Sequence, residues 1–379
     1  MNGLPGYAGA VVNPALTAAI ESTRQALQDL KRIPDTWPQA FGGDQLRIDD
    51  PSRLLRWQPD VRSTVVEFEA VAGISFETDD KSSRLVVYPS DPKASGNDVT
   101  SKRSILVTMS RPSVPVLIQQ AGLVAEAAGD RVMPKSGDVA TRDRLTEITA
   151  QVVPPFAFWC AVLPIQPDRM PRTIELIQLT LALCSFAEQR FKHALAVPRP
   201  QYFDPKVVPA ILTPSHGSLP SGHSTEAFAV SNMLYQLLAC DAQSNAPEDA
   251  ALRRMLLALA ARIANNRMVA GLHTPIDTSA GRMLGTVLAD YLLARCTGRT
   301  SVLSGHFPGA ELKAKGSKLF LEDTEIIRNL PNVMGDELVG GNDLICTVEP
   351  AAAEIFKSEA LGWLWDKARE EWGHAASGT

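Results

Sequence analysis

The chain has 379 residues, 45% of them hydrophobic and 21% charged, with a formal net charge of −5. That length can bury a substantial core in one large domain or two. The mildly acidic balance gives no general reason to expect nucleic acid or an anionic membrane surface as partner.

No uninterrupted apolar run reaches the roughly 18 residues at which a membrane span becomes a candidate; the nearest, 152–165, is broken by Pro154, Pro155 and Pro164. The opening MNGLPGYAGAVVNPAL lacks a basic start followed by a long apolar run, so no signal peptide is expected. Five widely spaced cysteines, Cys160, Cys184, Cys240, Cys296 and Cys346, suit free thiols in a reducing compartment. A soluble, cytoplasmic protein is the expectation, and self-association into a homo-oligomer is compatible with it.

Residues 14–32 place Leu16, Ile20, Leu27 and Leu30 on roughly one side of a helix. A proline-rich stretch with Trp37 and Trp57 follows. From 62 to 110 the runs STVVEFEAV, RLVVYP and SILVTM, punctuated by DDKSS and DPKASGND, have the composition of short strands. They predict a small sheet or hairpin packed on a helical body, as scaffold or as a surface for a partner. Helical periodicity takes over after about 113. Residues 115–128 and 139–152 predict two helices joined by RVMPKSGD, and 172–196 a long one whose apolar positions crowd more than one face, as in the centre of a bundle. Further helices are expected from Ser221, over 248–268, and from Thr274 onwards. Beyond 300 the pattern is weaker, apart from a terminal helix over AAAEIFKSEALGWLWDKAREEW carrying Trp363, Trp365 and Trp372. The division expected is 1–112, an N-terminal helix plus a small β segment; 113–300, a helical catalytic core; and 301–379, a C-terminal extension.

Three blocks stand out against this background: Lys192 with Arg199-Pro200, then Pro220-Ser221-Gly222-His223, then Arg267, His273 and Asp277. Together their residue types suit the holding of a tetrahedral oxyanion. Lys192 is a point charge, whereas Arg199 and Arg267 are planar forks that grip oxygens in pairs. Ser221 adds a hydroxyl, and Gly222 allows backbone N–H groups close approach. His223 and His273 can attack, ligate or move protons near neutral pH. Each residue also has an ordinary structural role. Lys192 in the last turn of a helix compensates its dipole, Ser221 or Ser224 can simply cap a helix, and Thr274-Pro275-Ile276-Asp277 has the form of a capping box. Three blocks in fixed order favour the site. No zinc spacing, P-loop, dinucleotide glycine fingerprint or internal repeat accompanies them.

These blocks resemble the three-part signature of the type 2 phosphatidic acid phosphatase and vanadium-dependent haloperoxidase superfamily, and the absence of a membrane span points to its soluble, bacterial-type members. The resemblance covers roughly the middle third of the chain, and Asn266 stands where the family often has serine. It implies a mainly α fold, a helical bundle of the vanadium haloperoxidase and acid phosphatase type, here with a small β-containing N-terminal segment.

Two chemistries come with the resemblance. In one, His273 ligates vanadate, and Lys192, Arg199, Ser221, Gly222 and Arg267 hold its oxygens. Lys192 polarises hydrogen peroxide, His223 acts as acid and base, and halide is oxidised. In the other, a phosphomonoester occupies the same cradle, His273 attacks phosphorus and His223 protonates the leaving group. His216, five residues before Ser221, resembles a second histidine of the algal bromoperoxidases and favours bromide oxidation, although it could only brace its loop. A non-catalytic phosphate-binding protein is the third possibility; the presence of both histidines speaks against it.

Overall fold

In the computed structural model, the residues described are 18, 22, 49–87, 103–132, 139–153, 155–239, 247–314, 346–353 and 355–374. The helix expected over 14–32 lies outside them except for residues 18 and 22, which are helical. The turns expected near 340 lie outside them altogether.

The chain divides into two compact units at Val66/Glu67. Of the first, the described part is a 3-10 helix, Pro51–Arg56, capped by Asp50, and the first half of helix α1, Pro59–Ala72. The Arg62 guanidinium donates to the carbonyls of Leu54 and Trp57 within that unit.

Helix α1 corrects the strand expected from STVVEFEAV. Its buried residues, Arg62, Val66 and Ala70, recur every four positions, while Val65 and Phe68 face outwards. A helical burial period overrides the β-favouring composition of its valines and phenylalanine.

The second unit is mainly helical, with one small sheet. Strands β1 (Ile74–Thr78), β2 (Ser82–Val87) and β3 (Ser104–Ser110) form an antiparallel meander. Then come α2 (Val114–Val132), α3 (Val139–Ala150), α4 (Phe156–Val162), α5 (Pro171–Leu195), α6 (Gly222–Leu238), α7 (Pro247–Val269) and α8 (Pro275–Thr297). Strands β4 (Ser301–Phe307) and β5 (Thr347–Ala352) complete the sheet, and α9 (Glu359–Glu371) is the last described element.

Strand order is β1-β2-β3-β4-β5, with β4 parallel to β3 through Val107↔Gly305 and Met109↔Phe307. The sheet is thus built from both ends of the chain. Its β4 strand lies directly on α8, where a Cβ on Gly305 would come within 2.9 Å of the Met283 side chain. Strand β5 takes the first residues of the stretch expected to form the terminal helix. Helix α9 begins only after Ser358, whose hydroxyl caps it by accepting from the Leu361 N–H.

Helix α8 is the centre of the bundle: every residue from Pro275 to Cys296 except Arg282 is buried in the side-chain sense. It approaches α6 unusually closely. A Cβ on Gly281 would lie 2.5 Å from the Ser221 carbonyl oxygen, and one on Gly285 2.1 Å from that of Thr225. These two glycines, one turn apart, let the helix backbones touch.

The start of α5 is held from the far end of the chain. Glu371 accepts hydrogen bonds from Arg172 N (2.7 Å), Thr173 N (2.8 Å) and Thr173 Oγ1 (2.8 Å), satisfying N–H groups that a helix start otherwise leaves free. Glu371→Ala is expected to lower stability by about 1–2 kcal/mol, read as a shift of the urea midpoint. An unchanged midpoint would show that this tie contributes nothing.

Among the described residues, no helix is long and apolar enough to cross a membrane.

Candidate active site

The three blocks fall on helix ends that meet on one side of the bundle. Lys192 is in the last turn of α5, which stops at Ala196 in a left-handed conformation (φ 46°). Arg199 precedes the short 3-10 helix Pro200–Tyr202. Ser221 is the N-cap of α6, Arg267 lies in the last turn of α7, and His273 stands just before α8. Backbone hydrogen bonds tie these ends together: Ser218 N to Val197 O (2.8 Å), Ser221 N to Asp277 O (2.9 Å), and Leu272 N to Arg267 O (3.0 Å). The close approach of α6 and α8 thus sets Ser221 against Asp277.

His273 has one ring nitrogen engaged on each side. Its Nε2 accepts from Arg199 Nη1 at 3.0 Å. Its Nδ1 faces the Asp277 carboxylate at 3.6 Å, too long for a direct hydrogen bond. Ser218 Oγ bridges that gap, 3.4 Å from Nδ1 and donating to Asp277 Oδ2 at 2.6 Å. This relay keeps the proton on Nδ1 and leaves the Nε2 lone pair facing the cationic side.

Asp277 has two roles. It closes the capping box with Thr274, whose N–H donates to Oδ2 at 2.7 Å, and it orients His273. Burial opposes its charge, but the His273 imidazole, the Ser218 hydroxyl and the Thr274 N–H together hold the carboxyl below its usual range. Burial, and then the Arg199 charge, push His273 well below the ordinary histidine value.

His223 is oriented differently. Its Nε2 donates to the Gln151 carbonyl oxygen at 2.6 Å, leaving Nδ1 as the acceptor. Burial and the Arg267 charge push it down to about 4.

Gln151, just past α3, was not singled out in the sequence, where it is one glutamine among several. Its Oε1 accepts from Arg267 Nη2 at 2.9 Å and from Asn266 Nδ2 at 3.1 Å. Asn266, the departure from the expected serine, also donates to Glu147 at 2.9 Å and so fixes Gln151.

The donors left over describe what the site can bind. Ser221 Oγ, Arg267 Nε, Arg267 Nη1 and Gln151 Nε2 are buried without a partner. Each such group costs about 1–3 kcal/mol when unsatisfied. Lys192 is 1% exposed and donates to the Pro220 carbonyl; burial lowers it to about 8. A serine hydroxyl, the free guanidinium edge of Arg267 and the N-terminus of α6 are the donor set an oxyanion needs, and phosphate or vanadate fits it. Among the described residues, no group of three His, Cys, Asp or Glu is placed to hold a metal cation.

Two details differ from the simplest form of the cradle. The space over Gly222 is taken by the Glu188 carboxylate, 2.7 Å from where a Cβ would stand. In addition, the open cavity beside the site, about 610 Å³, is lined by Lys192, Arg199 and His216 but not by Ser221, His223, Arg267 or His273. Arg199 connects the two regions: it lines the cavity, touches His273, and has its Nη2 3.2 Å from His216 Nδ1. His216 is half-buried, and burial lowers its pKa.

A search of curated proteins returns no match. Residues 176–299 match the family model described as the PAP2 superfamily. That span contains all ten residues of the three blocks, His216 and the His273–Ser218–Asp277 relay, while Gln151 lies outside it. Over residues 176–299 the chain is therefore similar to the PAP2 superfamily.

Proposed function

We propose that this chain is a vanadate-dependent haloperoxidase that oxidises halide, bromide by preference, with hydrogen peroxide. The superfamily includes phosphatases as well as haloperoxidases, and the observation that favours the latter is the position of His216. It adds an imidazole to the wall of the cavity, in contact with Arg199, where halide and peroxide would arrive.

Bound vanadate would supply the Lewis acidity that activates peroxide towards halide. His273 would hold it through Nε2, the atom now facing Arg199 Nη1, with Nδ1 kept protonated by the Ser218–Asp277 relay. Ser221 Oγ and the free edge of Arg267 would donate to its oxygens, and Arg199 would turn from Nε2 towards them. Lys192, on the cavity wall, would polarise the peroxide. His223, neutral at pH 7 with Nδ1 unprotonated, would accept the proton released by peroxide and return it to departing water.

A second reading, phosphomonoester hydrolysis, is favoured by the size and polar lining of the cavity, where Gln189, Gln201, Thr213 and Ser215 could surround an alcohol group. His273 Nε2 would attack phosphorus and form a phosphohistidine. The P–O bond to the alcohol would break, and the departing oxygen would take a proton through His223 Nδ1, which must first receive it from solvent because the ring rests neutral; water would then attack phosphorus and release phosphate from His273.

Parallel assays decide between them: bromination of an organic acceptor by vanadate-loaded protein with peroxide, and hydrolysis of a nitrophenyl phosphate. Peroxide- and vanadate-dependent bromination is expected. Robust phosphomonoesterase activity, with phosphate trapped on His273 and no bromination, would replace this proposal with the second reading.

A further inference from the structure

Below the cradle, α5 carries Cys184, Glu188 and Lys192 at intervals of four, on one face. Glu188 is 5% exposed. Its Oε2 has no hydrogen-bond partner, and Oε1 has Gln189 Nε2 at 3.4 Å. The two oxygens stand 2.7 and 2.8 Å from where a Cβ on Gly222 would be, so the absence of a side chain at the first residue of α6 makes room for them. The groups facing this carboxylate are Cys184 and Lys192 on α5, Arg199 beyond it, and Glu226 on α6.

A buried carboxylate with one long hydrogen bond and one unpartnered oxygen is costly. What favours it is the Lys192 ammonium and the positive end of α6, both of which an oxyanion also needs. Three cations, Lys192, Arg199 and Arg267, stand against Asp277 and, when ionised, Glu188 and Glu226. With both glutamates charged, the cradle has no excess of positive charge.

On the anion-site reading given above, we infer that Glu188 is a positioning residue that competes with the oxyanion for Lys192 and the start of α6, so that oxyanion binding carries a proton from solvent onto the Glu188–Glu226 pair. Burial pushes Glu188 up to about 7 and Glu226 up to about 8, the latter raised further by Glu188. The exchange therefore falls between about pH 6 and 9. Below it the pair is neutral and the cradle attracts anions; above it the pair is charged and repels them. The same raised values mean that Glu188 costs stability as pH rises from its ordinary carboxyl range through about 7. Replacing it by glutamine removes that cost.

Calorimetric titration with sulfate, which stays a dianion throughout this range, tests the inference in buffers with different heats of protonation. For the wild-type protein, affinity is expected to fall with pH between about 7 and 9, by up to about tenfold per pH unit, with close to one proton taken up per sulfate. Glu188→Gln should bind about tenfold more tightly than wild type near pH 8.5, equal it near pH 6, and lose most of the proton uptake. Glu188→Ala and Glu226→Gln are independent variants that should flatten the profile in the same sense.

Uptake residing on Lys192, which burial also brings into this range, or on His216, His223 or His273 would persist in Glu188→Gln. Sulfate binding that requires Arg199 but has the same pH profile in wild type and all three variants would overturn the role of Glu188 alone. Sulfate binding that is absent, or indifferent to Arg199→Ala, would overturn the anion site itself and this inference with it.

Discussion

His273→Ala is expected to reduce turnover by at least about 10³-fold, whichever of the two reactions the protein performs. The Nε2 lone pair of the imidazole, now paired with Arg199 Nη1, faces the cationic side while its other nitrogen is held by Ser218 and Asp277. No neighbouring side chain can replace it: Arg199 and Lys192 offer only donors, and Asp277 is committed to the capping box. The effect should be on kcat, with binding of phosphate or sulfate weakened far less, because the cationic donors remain. Thermal melting of the variant separates loss of chemistry from loss of fold. A folded His273→Ala protein retaining more than a tenth of wild-type turnover would remove His273 from the mechanism.

Gly285→Ala is expected to destabilise the protein by about 3 kcal/mol or more. A single added methyl would stand 2.1 Å from the Thr225 carbonyl oxygen, a backbone atom of a helix that cannot swing away as a side chain could. Helices α6 and α8 would have to separate. Ser221 N–H would then lose its hold on the Asp277 carbonyl, and Ser224 Oγ its 2.8 Å bond to Thr278 O. Activity should therefore fall together with stability, although Gly285 touches no reacting group. Gly281→Ala, with 2.5 Å to the Ser221 carbonyl oxygen, should act in the same direction. A melting temperature and activity unchanged in both variants would show that this close approach does not set the site.

The ends of α5, α6, α7 and α8 were legible in the sequence because strong local signals mark them. Pro198 and Pro200 stop α5, Ser221-Gly222 opens α6, and Thr274-Pro275-Ile276-Asp277 is a complete capping box in the structure. The ten block residues could be named for the same reason; the structure joins Arg199, His273, Asp277 and Ser221 in one chain of contacts and links His223 to Arg267 through Gln151.

What escaped the sequence depends on long-range geometry. Gln151 joins His223 to Arg267 across more than seventy residues of chain, and Ser218 bridges His273 and Asp277 from a loop with no pattern of its own. Glu188 looked like one polar position among many on a long helix; only its place against Gly222 distinguishes it. One signal was available: glutamate four residues before lysine on the same helical face. The error at residues 63–71 has a different origin, since a run rich in valine and phenylalanine satisfies strand composition while its burial recurs at helical spacing. Strand β5 was missed because its alanines and proline favour no strand; pairing with β4 supplies what propensity does not.

On the function proposed above, the three blocks form one oxyanion site with His273 Nε2 as its reactive atom. Crystals of the protein treated with vanadate test it most directly. Vanadium is expected bonded to His273 Nε2, with its oxygens accepting from Ser221 Oγ, Arg199 and the free edge of Arg267. Vanadate held elsewhere, with Nε2 still paired to Arg199 and the Ser221 and Arg267 donors untouched, would contradict it.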